Sequence, residues 1–153
     1  IKNSKISSIA MWAKATAKDT FVFEGANKVA KLEASAYAKY VLGAVDATLE
    51  APEGYNVTTN VPVSVVKYDG TKYYVQGAVA EVNGEIYGTL TEAITAANAN
   101  DTITFLANIN EDVTVNKSLT IDGAGKKYTG NISVSGTTTA LTVKNVKFVD
   151  GTG

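Results

Sequence analysis

The side chains of this chain that could do chemistry are carboxylates. Asp112, Asp122 and Asp150 each stand beside a short β-branched triplet, so all three could line one face of a stacked β structure. Two carboxylates about 5–10 Å apart, flanking a sugar, are what glycoside hydrolysis requires. Nothing in the spacing singles out such a pair, and an Asp next to a tight turn ordinarily accepts local backbone N–H groups instead. The sequence contains no Cys, no His and no Arg. Ser–His and Cys–His nucleophile pairs are therefore excluded, as are Cys/His-based zinc, iron–sulfur and haem centres. The two-pronged arginine grip on carboxylate or phosphate is absent too. The expectation is a protein that is not an enzyme, with no catalytic residue, no cofactor and no metal.

Two further motifs carry little chemistry. Gly123-Ala124-Gly125-Lys126-Lys127 is rich in glycine and lysine, but it lacks the phosphate-loop spacing and no helix signal follows, so it reads as a tight turn. Asn56-Val57-Thr58, Asn116-Lys117-Ser118 and Asn131-Ile132-Ser133 match glycosylation sequons, as chance allows in a chain rich in Asn and Thr.

Aromatic side chains are the other candidates, for binding rather than catalysis. Trp12, Phe21, Phe23, Tyr37 and Tyr40 concentrate in the first block of the chain. They serve either as that block's own packing or as anchors buried against a partner chain. Tyr68, Tyr73 and Tyr74 could stack on sugars, although packing on a sheet face is the better reading.

Composition bounds the rest. The chain has 153 residues, 45% apolar and 19% charged, which fits one ordinary folded domain or two very small ones. Fourteen Lys meet 15 Asp and Glu for a net charge of −1, leaving no basic face with which to neutralise nucleic-acid phosphates. No apolar run approaches the ~18–20 residues that cross a bilayer, and the lack of cysteine excludes a disulfide-stapled scaffold. The chain starts at Ile1 and stops at Gly153 just after a strand-like run, so it reads as a piece of a longer polypeptide.

These residues need elements to position them. Thr20–Gly25 and Lys28–Leu32 are β-prone runs around Gly25-Ala26-Asn27, which predicts a small hairpin. Ala34, Tyr37, Ala38 and Val41 recur at helical spacing, with Ser35 as a cap and Gly43 as a stop. Residues 1–43 thus form a small α+β block, and the Ala/Thr, Pro and Asn-rich stretch 44–60 reads as a linker. Over 61–80 the alternating Val61, Val63 and Val65, the turn Asp69-Gly70 and the returning Tyr73-Tyr74-Val75 predict a hairpin.

From residue 81 to 153 the pattern changes. Val82-Asn83-Gly84-Glu85-Ile86-Tyr87 reads as a hairpin with an Asn-Gly turn. Thr89-Leu90-Thr91-Glu92 fits a capping box, and Leu90, Ala93, Ile94 and Ala97 give an apolar stripe on a helix over 90–99. After Asp101 come β-branched triplets between polar turns, among them Val113-Thr114-Val115, Leu119-Thr120-Ile121, Ile132-Ser133-Val134 and Leu141-Thr142-Val143. Leu119 and Leu141 head matching triplets about 22 residues apart, a solenoid period. Such coils cannot bury their inward residues alone and must stack. The expected fold is mainly β: the start of a right-handed parallel β-helix, capped by the short helix and preceded by the small α+β block.

The run from Glu81 to Lys147 resembles the N-terminal entry of pectate-lyase-like β-helix proteins, through the Val-Asn-Gly hairpin, Thr-Leu-Thr-Glu-Ala-Ile, Asp-Thr-Ile-Thr-Phe, Leu-Thr-Ile-Asp-Gly and Leu-Thr-Val-Lys-Asn-Val. The fold is shared by surface adhesins, polysaccharide-degrading enzymes and phage spikes, so it does not fix a function. The pectate-lyase activity does not carry over, because the chain has no Arg and no clustered acids. Trp12 to Leu42 is similar to the N-terminal segment of phage fibre and appendage proteins, through Asp19-Thr20-Phe21-Val22-Phe23-Glu24-Gly25, Lys28 to Leu32 and Ala34 to Leu42. That resemblance implies a virion protein whose first block docks to the capsid or tail through Trp12, Phe21, Phe23, Tyr37 and Tyr40. The β-helix would then begin a projecting shaft, in a homo-oligomer that fibres of this kind form as trimers. Host-surface polysaccharide would be met by a distal part beyond this sequence. The alternatives are an extracellular bacterial surface adhesin, or a polysaccharide depolymerase with its active site on other coils.

Overall fold

The computed structural model describes residues 1–9, 19–32 and 38–149. The chain divides into two compact units, Ile1–Gln76 and Gly77–Gly153, each with its own apolar core.

In the first unit the chain passes back and forth between two sheets. β1 (Lys5–Ile6), β3 (Ala26–Val29) and β5 (Thr48–Glu50) pair in parallel in one sheet. β2 (Asp19–Phe23), β4 (Ala38–Leu42) and β6 (Val57–Thr59) pair in parallel in the other. Successive strands thus belong to opposite walls, the arrangement of a two-sided parallel β-solenoid. β7 (Ser64–Tyr68) and β8 (Lys72–Gly77) then complete the first sheet, with β8 antiparallel to β5. Period-two alternation sends Asn27, Val29, Leu42, Leu49 and Tyr73 inward and Ala26, Lys28, Lys39 and Lys72 outward.

Three expectations change here. The runs around Gly25-Ala26-Asn27 are not a hairpin: β2 and β3 lie in different sheets, and the chain turns a corner between them. The helix expected to end at Gly43 is a strand over Ala38–Leu42, paired with β2 from Asp19↔Ala38 to Phe23↔Leu42. A seven- or eight-residue helix is marginal alone, whereas Tyr40-Val41-Leu42 is β-prone and gains a ladder on both sides. Ala34, Ser35 and Tyr37 lie outside the described residues. The stretch 44–60 is not a linker, since it carries β5 and β6.

The corner requires its glycine. Gly25 has φ 65°, and a Cβ there would lie 2.2 Å from Asn3 Oδ1. Asn27, 4% exposed, holds the corner: its Oδ1 accepts from Ser4 N (3.0 Å) and its Nδ2 donates to the carbonyls of Glu24 and Gly25. The expected hairpin over 61–80 is present as β7–β8, with Asp69 Oδ1 accepting from the Thr71 and Lys72 amides and Gly70 at φ 93°. It is shorter than expected, because Val63 has φ 51° in the turn before Ser64.

The second unit opens with the hairpin β9 (Ala80–Val82) and β10 (Glu85–Tyr87), turned by Asn83 and Gly84 at φ 54° and 82°. Positive φ at both positions is the two-residue turn that Asn-Gly favours. Helix α1 spans Leu90–Ala96, where Thr89 accepts from the Glu92 amide as the N-cap. It ends before residue 99 because Ala97 is extended.

Then the coils begin. β11 (Thr102–Phe105), β12 (Ile109–Asn110) and β13 (Val113–Val115) form the first. β14 (Leu119–Asp122), β15 (Lys127–Thr129) and β16 (Ile132–Val134) form the second, and β17 (Leu141–Lys144) and β18 (Lys147–Phe148) belong to the third. Equivalent strands pair in parallel on three faces. This is a parallel β-helix. The β9–β10 hairpin extends the first face antiparallel to β11, and α1 packs on β9, β10 and β13. Leu90, Ala93 and Ile94 join the core in the position of a cap.

Candidate functional site

The interior of the second unit is a set of columns. Ile103, Ile121 and Val143 follow one another in register, and Leu119 sits on Leu141. Phe105, Tyr128 and Phe148 form an aromatic column with ring centroids 6.0 and 6.1 Å apart. Ile103, Phe105, Ile121 and Tyr128 are buried, whereas Leu141 and Val143 are half-buried and Phe148 is 63% exposed on the third coil. Tyr128 donates from its hydroxyl to the Glu111 carbonyl at 2.6 Å. Burial, followed by the charges of Glu111 and Asp112, pushes the Tyr128 phenol up to about 12.

Polar side chains tie one coil to the next at the corners. Asp112 Oδ1 accepts from the Asn131 backbone (2.7 Å) and side-chain amide (3.2 Å). Asp122 Oδ1 accepts from the Ala124 amide and Asn145 Nδ2, both at 3.0 Å, and its other oxygen lies 3.3 Å from Lys144 Nζ. Asn108 accepts from the Lys127 amide at 2.9 Å. The Ala124 amide, with Asn145 and Lys144, holds the Asp122 carboxyl below the usual range. A carboxylate spent this way is a poor proton donor near neutrality. By their hydrogen bonds Asp112 ties one coil to the next and Asp122 closes a turn, and Asp150 lies outside the described residues.

Gly123-Ala124-Gly125 is a turn leading into strand β15, with Lys126 N donating to the Gly123 carbonyl. A Cβ on Gly123 would lie 2.6 Å from the Asn145 carbonyl and from Val146 Cα, so the next coil's backbone passes directly over it.

The aromatic candidates divide. Phe23 (0% exposed) and Tyr40 (3%) belong to the core of the first unit and present no surface to a partner. Phe21 is half-buried and stacks on Tyr40 at 5.9 Å, and Tyr40 meets Tyr55 edge-on. Trp12 and Tyr37 lie outside the described residues. Tyr68 and Tyr73 pack ring to ring at 4.7 Å with their hydroxyls on the Ala51 and Pro52 carbonyls, so their faces are spent on packing. Tyr74 points to the opposite face of β8 from Tyr73.

That outer face holds a feature the local sequence did not announce. Lys5 pairs with Lys28, Lys28 with Glu50 and Glu50 with Lys72 across β1, β3, β5 and β8. These four side chains, with Asn3, Ser4, Ala26, Asn27 and Thr48, line a cleft of about 310 Å³. Lys28 and Glu50 form an ion pair. The signal was recurrence: residues 22 apart, such as Lys28 and Glu50, become neighbours once the chain coils.

Among the described residues no three Asp or Glu side chains gather as a metal site, and no helix is long and apolar enough to cross a membrane. Comparison with family models, curated proteins and solved structures finds no match.

Proposed function

We propose that this chain is a structural protein of a surface appendage, a virion fibre or spike, whose β-helix serves as a stiff projecting shaft. The observation that carries this reading is the unbroken register of the second and third coils. Leu119 lies on Leu141, Thr120 on Thr142, Ile121 on Val143 and Asp122 on Lys144. A stack held by backbone ladders and apolar columns resists bending and needs no reacting group. Among the described candidate carboxylates, Asp112 and Asp122 are engaged in holding coil to coil. The similarity of Trp12–Leu42 to phage appendage segments and of Glu81–Lys147 to β-helix entries supports the virion setting. In this reading the first unit docks to capsid or tail proteins, the chain assembles as a homo-oligomer, a trimer, and more distal parts meet host-surface polysaccharide.

Immunogold labelling with antibodies to this chain tests the proposal on virus particles and host cells from the same culture. Label on particle appendages is the expected result. Label confined to the cell envelope would overturn the virion setting in favour of a bacterial surface adhesin. New reducing or unsaturated ends on incubation with capsular polysaccharides would instead favour a depolymerase.

A further inference from the structure

The cleft on the outer face of the first unit combines charge with concavity. Three lysines and one glutamate line it. Lys5 and Lys28 are direct cross-strand partners, and like charges placed opposite one another destabilise a sheet. Glu50 forms an ion pair with Lys28. Lys5 and Lys72 form no ion pair among the described residues. Lys72 also lies near Asp69, whose carboxyl is chiefly occupied by the Lys72 and Thr71 amides. The cleft thus carries an excess of positive charge inside a chain whose net charge is −1. Its base is rigid: Asn27, whose hydrogen bonds fix the strand corner, lies beneath it, while Thr48 adds a hydroxyl to its wall.

We propose that this cleft binds a compact polyvalent oxyanion, a group of phosphate, sulfate or clustered-carboxylate chemistry, through the lysines that line it, Lys5, Lys28 and Lys72, with Glu50 paired to Lys28. Ammonium groups are point charges that accept an anion from several directions, so they suit a small oxyanion without the fixed fork that arginine supplies. A concave face with an excess of one charge sign raises the local concentration of its counter-ion. The anion is either free in solution or the charged end of a larger molecule. This assignment stands independently of the appendage reading.

The test is a titration of the whole chain at low salt, followed by amide NMR shifts, with inorganic phosphate, citrate, glucose 6-phosphate and neutral glucose as probes. The charged probes are expected to give saturable shifts confined to Ser4–Ile6, Ala26–Val29, Thr48–Glu50 and Lys72, and glucose none. Tighter binding of glucose 6-phosphate than of phosphate would indicate that the anion is presented on a sugar. The Lys5→Gln/Lys72→Gln variant should weaken binding by about tenfold or more, as expected when charged hydrogen bonds are removed, and Lys5→Arg/Lys72→Arg should restore most of it. Both pairs are surface substitutions, and unchanged shifts elsewhere would confirm the fold. Absence of saturable shifts, equal binding by the glutamine variant, or equal weakening by Lys147→Gln in the second unit would overturn the assignment, the last by showing general charge attraction only.

Discussion

Glu111 and Lys117, on either side of strand β13, hold opposite ends of helix α1. The Glu111 carboxylate accepts from the Leu90 and Thr91 amides (2.9 and 3.1 Å) and from the Thr91 hydroxyl. The Lys117 ammonium donates to the carbonyls of Thr95 (3.2 Å) and Ala97 (2.8 Å). An anion thus meets the positive end of the helix dipole and a cation its negative end. A seven-residue helix is too short to persist alone, so the first coil supplies the groups its two ends lack.

Removing either clamp should loosen the cap. Glu111→Ala leaves two amides without partners and is expected to cost about 1–2 kcal/mol of second-unit stability, with Lys117→Ala costing less. Chemical denaturation measures the loss, and hydrogen exchange at Leu90 and Thr91 should quicken in the first variant alone.

Stability should fall on the acid side. The carboxyls of Asp69, Asp101 and Asp122 are held below their ordinary range, first by the backbone amides of Lys72, Asn98 and Ala124 respectively. A carboxyl with a depressed folded pKa stabilises the fold above its unfolded pKa of about 3.9, and that contribution fades as the pH falls through the folded value. Denaturation midpoints measured from about pH 5 downward should fall, and Asp122→Asn should flatten the slope. Because backbone hydrogen bonds lead each shift, added salt should leave most of the slope in place.

On the alkaline side two phenols are raised, Tyr68 by burial and then the Glu53 charge, and Tyr128 to about 12. The folded pKa of Tyr128, about 12, lies above the unfolded value of about 10, so its contribution is complete below pH ~10 and is lost between there and about 12. Spectrophotometric titration should show late-ionising tyrosine that includes Tyr128. Tyr128→Phe should remove its part of that step and, through the lost bond to the Glu111 carbonyl, cost about 1 kcal/mol.

Glycines of the same turn should separate by cause. Gly123→Ala pushes a methyl into the backbone at Asn145 and Val146 and should cost about 1–3 kcal/mol as overpacking does. Gly125 has φ 77° with nothing within 4 Å of an added Cβ, so Gly125→Ala should cost about 1 kcal/mol, from conformation alone. Thermal unfolding of the two variants distinguishes them.

Legibility in the sequence followed the range of the interactions. The Asn83-Gly84 turn, the Thr89–Glu92 cap and the alternation of Val113-Thr114-Val115 are local, and each marks the element the structure holds. Leu119 and Leu141 gave the coil period because their triplets are nearly identical. The first unit was harder. Its partners, Phe23 with Leu42 and Lys28 with Glu50, are far apart in the chain, and their repeats share bulk, or being charged with opposite sign, rather than identity. Meanwhile the local signals at Gly25-Ala26-Asn27 imitate a hairpin, and Ala38 and Val41, which keep helical spacing, lie in strand β4. The lysine-lined cleft was hidden for the same reason, since only register brings Lys5, Lys28, Glu50 and Lys72 together.

The in-register stack is tested most directly by disulfide trapping, which the absence of native cysteine makes clean. Thr120 and Thr142 are cross-coil partners, so Thr120→Cys/Thr142→Cys should close an intramolecular bridge on mild oxidation, detected as a linked peptide by mass spectrometry. Ser133 lies on another face, and Thr120→Cys/Ser133→Cys should stay reduced. A reduced first pair alongside a bridged second pair would contradict the coil-upon-coil arrangement.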